Sequence, residues 1–344
     1  MQLPASVFVA CRLAISWRNT LKSLDWEVLT RAVAWLDSGY KVHLFTVVQT
    51  WGSAPRLPGA LLAVREDGHL LGSVSGGCVE DDLADKARNQ ELPSMPSVIE
   101  YGISSNDAQR FGIPCGGRLQ IFVEPLNDSA QLKSLLQGME QRKFIRRSVH
   151  ITTGRARLAE VDPEGPPRIE EDWFHSYFGP QWRLLIIGAN QLGSVLASMA
   201  QVLDFEVLIC DPRQEMREEW HVEGASWVYA MPDDAVLEIN PDAYTAIVAV
   251  THDPKLDDMA LLEALKSDAF YVGALGSQKN QEKRRERMRM FDLSEAEIAT
   301  LRGPVGLPIG SRTPAEIAIA ILAELIQVRA QQSKLGLASA KCAA

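Results

Sequence analysis

Residues 183–213, RLLIIGANQLGSVLASMAQVLDFEVLICDPR, constrain the fold more than any other stretch of the chain. A short apolar run leads into a glycine turn. The turn opens a segment with apolar residues at helical spacing, and a second apolar run ends on an acid. That order, strand, turn, helix, strand, is the βαβ unit of a Rossmann domain. The runs are continuous rather than alternating, as expected of parallel strands covered on both faces. Further strands fit at 226–229, 245–250 and 270–273, with helical segments between them. The domain is predicted to span 182–330 and to close on TPAEIAIAILAELIQV. There Thr313 serves as N-cap, Pro314 takes the first helical position and Glu316 completes a capping box. The small and polar residues 331–344 are expected to form a flexible tail.

A different pattern precedes this domain. Trp26, Leu29, Val33 and Leu36 recur at three- and four-residue spacing, so a helix begins the first folded unit. KVHLFTVVQT (41–50) reads as a buried strand, and the segment around Asp67-Gly68 as a hairpin. A helix is predicted from about Gly77, and a further strand over 119–125. The expected organisation is therefore α/β, with a separate N-terminal α+β domain over 25–126 and the C-terminal Rossmann-like parallel sheet. Residues 127–181 read as a connecting segment that carries a helix, short strands at 144–151 and 155–161, and the aromatic run DWFHSYFGPQW. Residues 1–24 read as an N-terminal extension.

Composition limits what such a chain binds. A formal net charge of −9 over 344 residues excludes a general affinity for nucleic acid or an anionic membrane surface. No apolar run reaches the length of a transmembrane helix, and the N-terminus lacks the basic region of a signal peptide, so a cytoplasmic location is expected. The five cysteines, Cys11, Cys78, Cys115, Cys210 and Cys342, are scattered. They show neither a disulfide framework nor paired zinc-ligand spacing, which leaves only individual thiols to do chemistry.

Several constellations are candidate sites. Gly188, Asn190 and Gly193 form the turn of the βαβ unit, and Asp211 stands where a ribose hydroxyl is gripped in dinucleotide enzymes. Asn190, however, replaces the glycine that lets a pyrophosphate approach the backbone. His252 lies in the loop after a predicted strand, as a ligand contact or as an ordinary turn residue. Gly276 and Ser277, ahead of a helix, could offer N–H groups to a phosphate, with Lys279 adding charge. The basic run KRRERMR beyond them is read as a solvated helix face paired with Glu282 and Glu286. In the first domain, Cys78 follows Gly76-Gly77 and Cys115 precedes Gly116-Gly117. A lone cysteine is more often a small buried hydrophobe. Two thiols each beside a glycine pair leave room for a bulky group to reach sulfur.

These stretches also carry a family resemblance. GSAPRLPGALLAV, GSVSGGCVEDDLADKA and FGIPCGGRLQIFVEP resemble the N-terminal domain of the XdhC/CoxI family. LLIIGANQLGSVLASMA with EVLICDPR, AVTHDPKLDD, YVGALGSQK and GPVGLPIGSRTPAEIAIAILAELI resemble its Rossmann domain, in the same order, so that the likeness runs from about residue 26 to 328. One departure is the turn Gly-Ala-Asn-Gln, which in the family usually reads Gly-Ala-Gly-His. The resemblance implies an accessory protein of molybdenum hydroxylases such as xanthine dehydrogenase. Such a protein binds the molybdenum cofactor, in molybdopterin or cytosine dinucleotide form, protects it while its terminal sulfur is installed and delivers it. It implies as partners the target hydroxylase, a cysteine desulfurase and a cofactor nucleotidyltransferase, together with a homodimer, and no turnover of its own. On the chemistry of soft ligands, Cys115 and Cys78 are the candidates for contact with molybdenum or a transferred sulfur.

Two other readings stay open at this point. An NAD(P)-dependent oxidoreductase would use the Rossmann domain, although Asn190 counts against NAD. A pure interaction scaffold would leave that domain empty.

Overall fold

The computed structural model describes residues 23–51, 56–102, 118–163 and 165–342, with side chains as far as Gln331. Residues 23–180 and 181–334 each form a compact unit.

In the first unit, α1 (Leu24–Asp37) is capped by Ser23 and leads into β1 (Val42–Trp51). The hairpin of β2 (Leu61–Arg65) and β3 (Leu70–Gly72) turns at Asp67-Gly68, where the positive φ of Gly68 suits a glycine. Next come α2 (Cys78–Arg88), β4 (Ser97–Tyr101) and β5 (Arg118–Leu126). These strands form an antiparallel sheet in the order β3-β2-β1-β5-β4. Successive residues of the sheet face opposite sides. Leu44, Leu61 and Ala63 pack with Leu29 and Ala32 of α1, whereas Phe45, Val47, Leu62 and Val64 pack with Val79 and Leu83 of α2.

Residues 127–180, expected to connect the domains, instead build a second sheet within the first unit. After α3 (Ala130–Glu140) come β6 (Ile145–His150), β7 (Ala156–Glu160), β8 (Arg168–Glu170) and β9 (Trp173–Phe178). Their order is β7-β6-β9-β8, so the aromatic run is an inner strand rather than a linker. Its alternation explains the difference: Phe174, Ser176 and Phe178 share one face, and the polar residues between and beside them mask the strand signal. Phe174 stacks on Phe122 of β5 with ring centroids 4.1 Å apart. Beside that stack, Arg147 of β6 grips Glu124 of β5 through both carboxylate oxygens, at 2.5 and 2.6 Å, with both residues buried.

The second unit begins with β10 (Arg183–Ile187), α4 (Gln191–Val202) and β11 (Glu206–Cys210). It continues through α5 (Gln214–Glu218), β12 (Ser226–Trp227), α6 (Pro232–Ile239), β13 (Thr245–Ala249), α7 (Pro254–Ala264) and β14 (Tyr271–Ala274). It ends with α8 (Gln278–Met288), α9 (Glu295–Thr300) and α10 (Pro314–Cys342). All strands are parallel, in the order β12-β11-β10-β13-β14, which is a Rossmann-like sheet. Leu184 and Ile186 face α4 and α10, while Leu185 and Ile187 face α6 and α7. Helix α10 runs on through most of the segment expected to be a flexible tail. Alanine, glutamine, lysine and leucine predominate there and favour helix. Among the described residues no helix is long and apolar enough to cross a membrane.

Candidate functional site

The carboxyl edge of the parallel sheet gathers the predicted Rossmann residues. Between β10 and β13 the strand order reverses, and a ligand crevice is expected at that point. Gly188 takes a φ of +119°, and a Cβ there would press within 2.9–3.1 Å of Thr251, in the loop just after β13. Gly193 is equally constrained, since a Cβ would collide with the Gly188 carbonyl. Asn190 fills the gap between the two strand ends. Its Oδ1 accepts from Gly193 N–H at 3.0 Å, capping α4, and its Nδ2 donates to the Val250 carbonyl at 2.6 Å. The residue that departs from the glycine pattern therefore closes the crevice with its own side chain. Asn190→Ala removes the cap and the cross-strand bond together. It is expected to lower stability by about 1–2 kcal/mol, read as a fall in the urea midpoint.

Asp211, at the end of β11, is also taken up by the chain. Its buried carboxylate accepts from Ala189 N–H at 2.9 Å, from Arg213 N–H at 3.1 Å, and from Arg213 Nε and Nη2 at 2.9 and 2.7 Å. Burial alone would raise the pKa of this carboxyl, but the Arg213 and backbone donors outweigh it and hold it below the usual carboxylate range. Four donors fill the acceptor capacity of a carboxylate, so no lone pair remains for a ribose diol. Cys210, just before it, is buried. Its thiol donates toward the Ala230 carbonyl and has its pKa pushed up to about 12 by burial, with nearby acids adding to the shift. It is inert.

The loops after β13 and β14 are braced from below. Thr251 donates from N–H and Oγ1 to Asp257, at 3.1 and 2.7 Å, and Asp257 in turn receives Arg284 Nη2 at 3.0 Å. Arg284 also reaches Asp258 and the Leu275 carbonyl. The basic run is thus not simply a solvated face paired along its own helix: Arg284 is buried, and Arg287 pairs with Asp258. His252 sits exposed at the loop tip with a φ of +64°. Gly276 also has a positive φ, and the Ser277 hydroxyl caps α8 by accepting from Asn280 N–H at 3.3 Å.

In the first unit, the stretch GSVSGGCVE folds back on its last residue. The Glu80 carboxylate accepts from the N–H groups of Val74, Ser75, Gly76 and Gly77 and from the hydroxyls of Ser73 and Ser75, at 2.5–2.9 Å. Burial would raise its pKa. The donors from Ser75, Gly76 and Ser73 prevail and bring it down to about 2. The loop is therefore an anion nest that its own glutamate fills. Gly76 has a φ of +93°, which suits a glycine, and Gly77 is the N-cap of α2. Cys78 is the first residue of α2 and is exposed, and among the described residues a Cβ at Gly77 would meet nothing within 4 Å. Cys115, Gly116 and Gly117 lie outside the described residues.

The structure therefore brings Gly188, Asn190, Gly193, Asp211, His252, Gly276 and Ser277 to one sheet edge, while Gly76, Gly77 and Cys78 share a loop in the other unit. Sequence reasoning missed the role of Glu80, whose place at the third position of the helix was the available signal. It also missed Arg213, two residues past the acid that ends β11.

Comparison with known proteins agrees with this arrangement. The model of the XdhC and CoxI family matches residues 35–102, and that of the XdhC Rossmann domain matches residues 184–325. The molybdenum cofactor insertion chaperone PaoD of Escherichia coli is 29% identical over 317 residues, covering 89% of each chain. A Bacillus subtilis protein described as a probable component of xanthine dehydrogenase is 25% identical, covering 86% of this chain and 96% of its own. A crystal structure from Bacillus halodurans, described as a xanthine dehydrogenase, superposes with a TM-score of 0.71 at 26% identity, covering 90% of this chain and 96% of that one. Both family domains occur here in their order, on the folds just described, and the chain belongs to the XdhC and CoxI family.

Proposed function

We propose that this chain is a chaperone of the molybdenum cofactor. It binds the cofactor, protects it during sulfuration and delivers it to a xanthine dehydrogenase-type hydroxylase. The observation that carries this reading is the likeness to PaoD, a molybdenum cofactor insertion chaperone, over 89% of both chains. The cofactor is cargo, in molybdopterin or cytosine dinucleotide form. An exposed thiol next to a glycine fits such a cargo, since soft sulfur suits molybdenum better than a hard oxygen ligand does. Cys78 would offer that thiol, with Cys115 as its counterpart, and the Glu80 nest would hold the Cys78 loop in shape. A cysteine desulfurase, a cofactor nucleotidyltransferase and a second copy of the chain complete the proposed partners.

The crevice closed by Asn190 and the carboxylate saturated at Asp211 speak against NAD(P) held in the standard way, and so against an oxidoreductase. Activation of a cofactor-free hydroxylase tests the proposal. Cofactor preloaded on the chain is expected to restore hydroxylase activity, and Cys78→Ser is expected to reduce the rate by about tenfold or more, in line with loss of a ligand-shell contact. Equal activation by free cofactor and by the loaded chain would refute delivery.

A further inference from the structure

A cleft of about 760 Å³ opens beyond the ends of β11 and β12, lined among others by Asp211, Arg213, Arg217, Trp227, Tyr229 and Met231. That volume falls in the range of small-molecule sites. Its chemistry is uneven in an informative way. Arg213 spends Nε and Nη2 on Asp211, bonds that leave Nη1 out. Arg217 is exposed, makes no ion pair among the described residues, and lies with Cζ 4.2 Å from the centroid of the Tyr229 ring. Tyr229 is 67% exposed, which is unusual for so large a ring. Behind it, Trp227 lies 6.4 Å from Tyr229 and meets Trp220 edge-on at 6.0 Å, so the aromatic wall is held from within.

Of the acids in the lining, Asp211 is tied to an arginine, whereas Glu218 is exposed and keeps its charge. Asp211 is saturated, and Glu218 accepts from Gln214 Nε2 at 2.9 Å. What the cleft presents is two guanidinium groups and a flat aromatic face. Guanidinium donors match the oxygens of a phosphate, and a tyrosine ring with most of its surface exposed suits a planar heterocycle. A sugar diol bound in the standard Rossmann way, by contrast, has no free acceptor here.

We infer that this cleft binds a nucleoside phosphate, with the phosphate on Arg213 and Arg217 and the base on Tyr229. The assignment goes beyond the proposed function and does not depend on it, because the cleft would take the nucleotide of any carrier. Where the cargo carries a nucleotide, this would be the end held by the second unit, and only that extension rests on the chaperone reading.

The test is a titration of the full-length chain with CMP and, in parallel, AMP, followed by Trp fluorescence and calorimetry. Cytidine, adenosine and inorganic phosphate serve as controls. Arg217 and Tyr229 are both exposed, so Arg217→Gln and Tyr229→Ala should fold normally, which an unchanged melting temperature without ligand verifies. Binding of at least one nucleotide is expected, weakened about tenfold or more in each variant and against each nucleoside or phosphate control. Binding no tighter than the nucleoside alone, binding unaffected by either variant, or no binding at millimolar nucleotide would each overturn the assignment. No molybdenum enters this experiment, so its failure is distinct from a failure of the chaperone reading.

Discussion

Arg147→Met is expected to destabilise the protein by about 3–5 kcal/mol, the cost of stranding a buried carboxylate without its partner. Arg147 and Glu124 are 3% and 5% exposed, and their paired bonds join β6 to β5, the strands through which the two sheets of the first unit meet. Against a total stability of about 5–15 kcal/mol, a loss of that size brings this unit near unfolding at ambient temperature. The pair itself is not needed for stability as such. Replacing both residues, as in Arg147→Met with Glu124→Leu, is expected to recover most of the loss, because a well-packed apolar pair avoids the desolvation of two charges. Urea unfolding of the single and double variants measures both effects. A single variant within about 1 kcal/mol of wild type would mean that Glu124 finds another partner.

The second large effect lies at Glu80. Glu80→Ala takes the acceptor away from six donors at once and is expected to cost about 3 kcal/mol. Glu80→Gln keeps one carbonyl oxygen and should cost roughly half as much. The pH dependence has a definite sign. Folding lowers this carboxyl from 4.5 to about 2, so the folded state favours the ionised form. Its contribution is fully present above pH 4.5 and is lost as the pH falls from there toward about 2. The urea midpoints of wild type and Glu80→Gln should therefore converge over that interval. Parallel curves down to the acid end would show that the nest does not depend on the charge. Because the same loop carries Cys78, Glu80→Ala should also impair cargo binding with the thiol intact.

Much of this architecture can be read from local pattern. The apolar runs at 184–187 and 207–210 could only be strands covered on both faces, and the turn at Asp67-Gly68 required a residue tolerant of positive φ. Asn190 announced a changed crevice because a side chain had entered a position reserved for glycine. What local pattern could not reveal depends on contacts between distant segments. Arg284 looks like one more charge in a solvated run, and only the placement of α7 against α8 buries it on Asp257 and Asp258. The strand Trp173–Phe178 was masked by the polar residues that interrupt its apolar face. Glu80 reads as a first-turn acid, and its larger role appears only when six donors are seen to converge on it.

The most direct measurement is an anaerobic titration of the purified chain with molybdenum cofactor, with molybdenum and pterin counted after gel filtration. Both are expected to co-elute with the protein at close to one per chain, and Cys78→Ser and Cys115→Ser to retain less. Elution of all molybdenum and pterin in the small-molecule volume, with none on the wild-type protein, would contradict the chaperone reading.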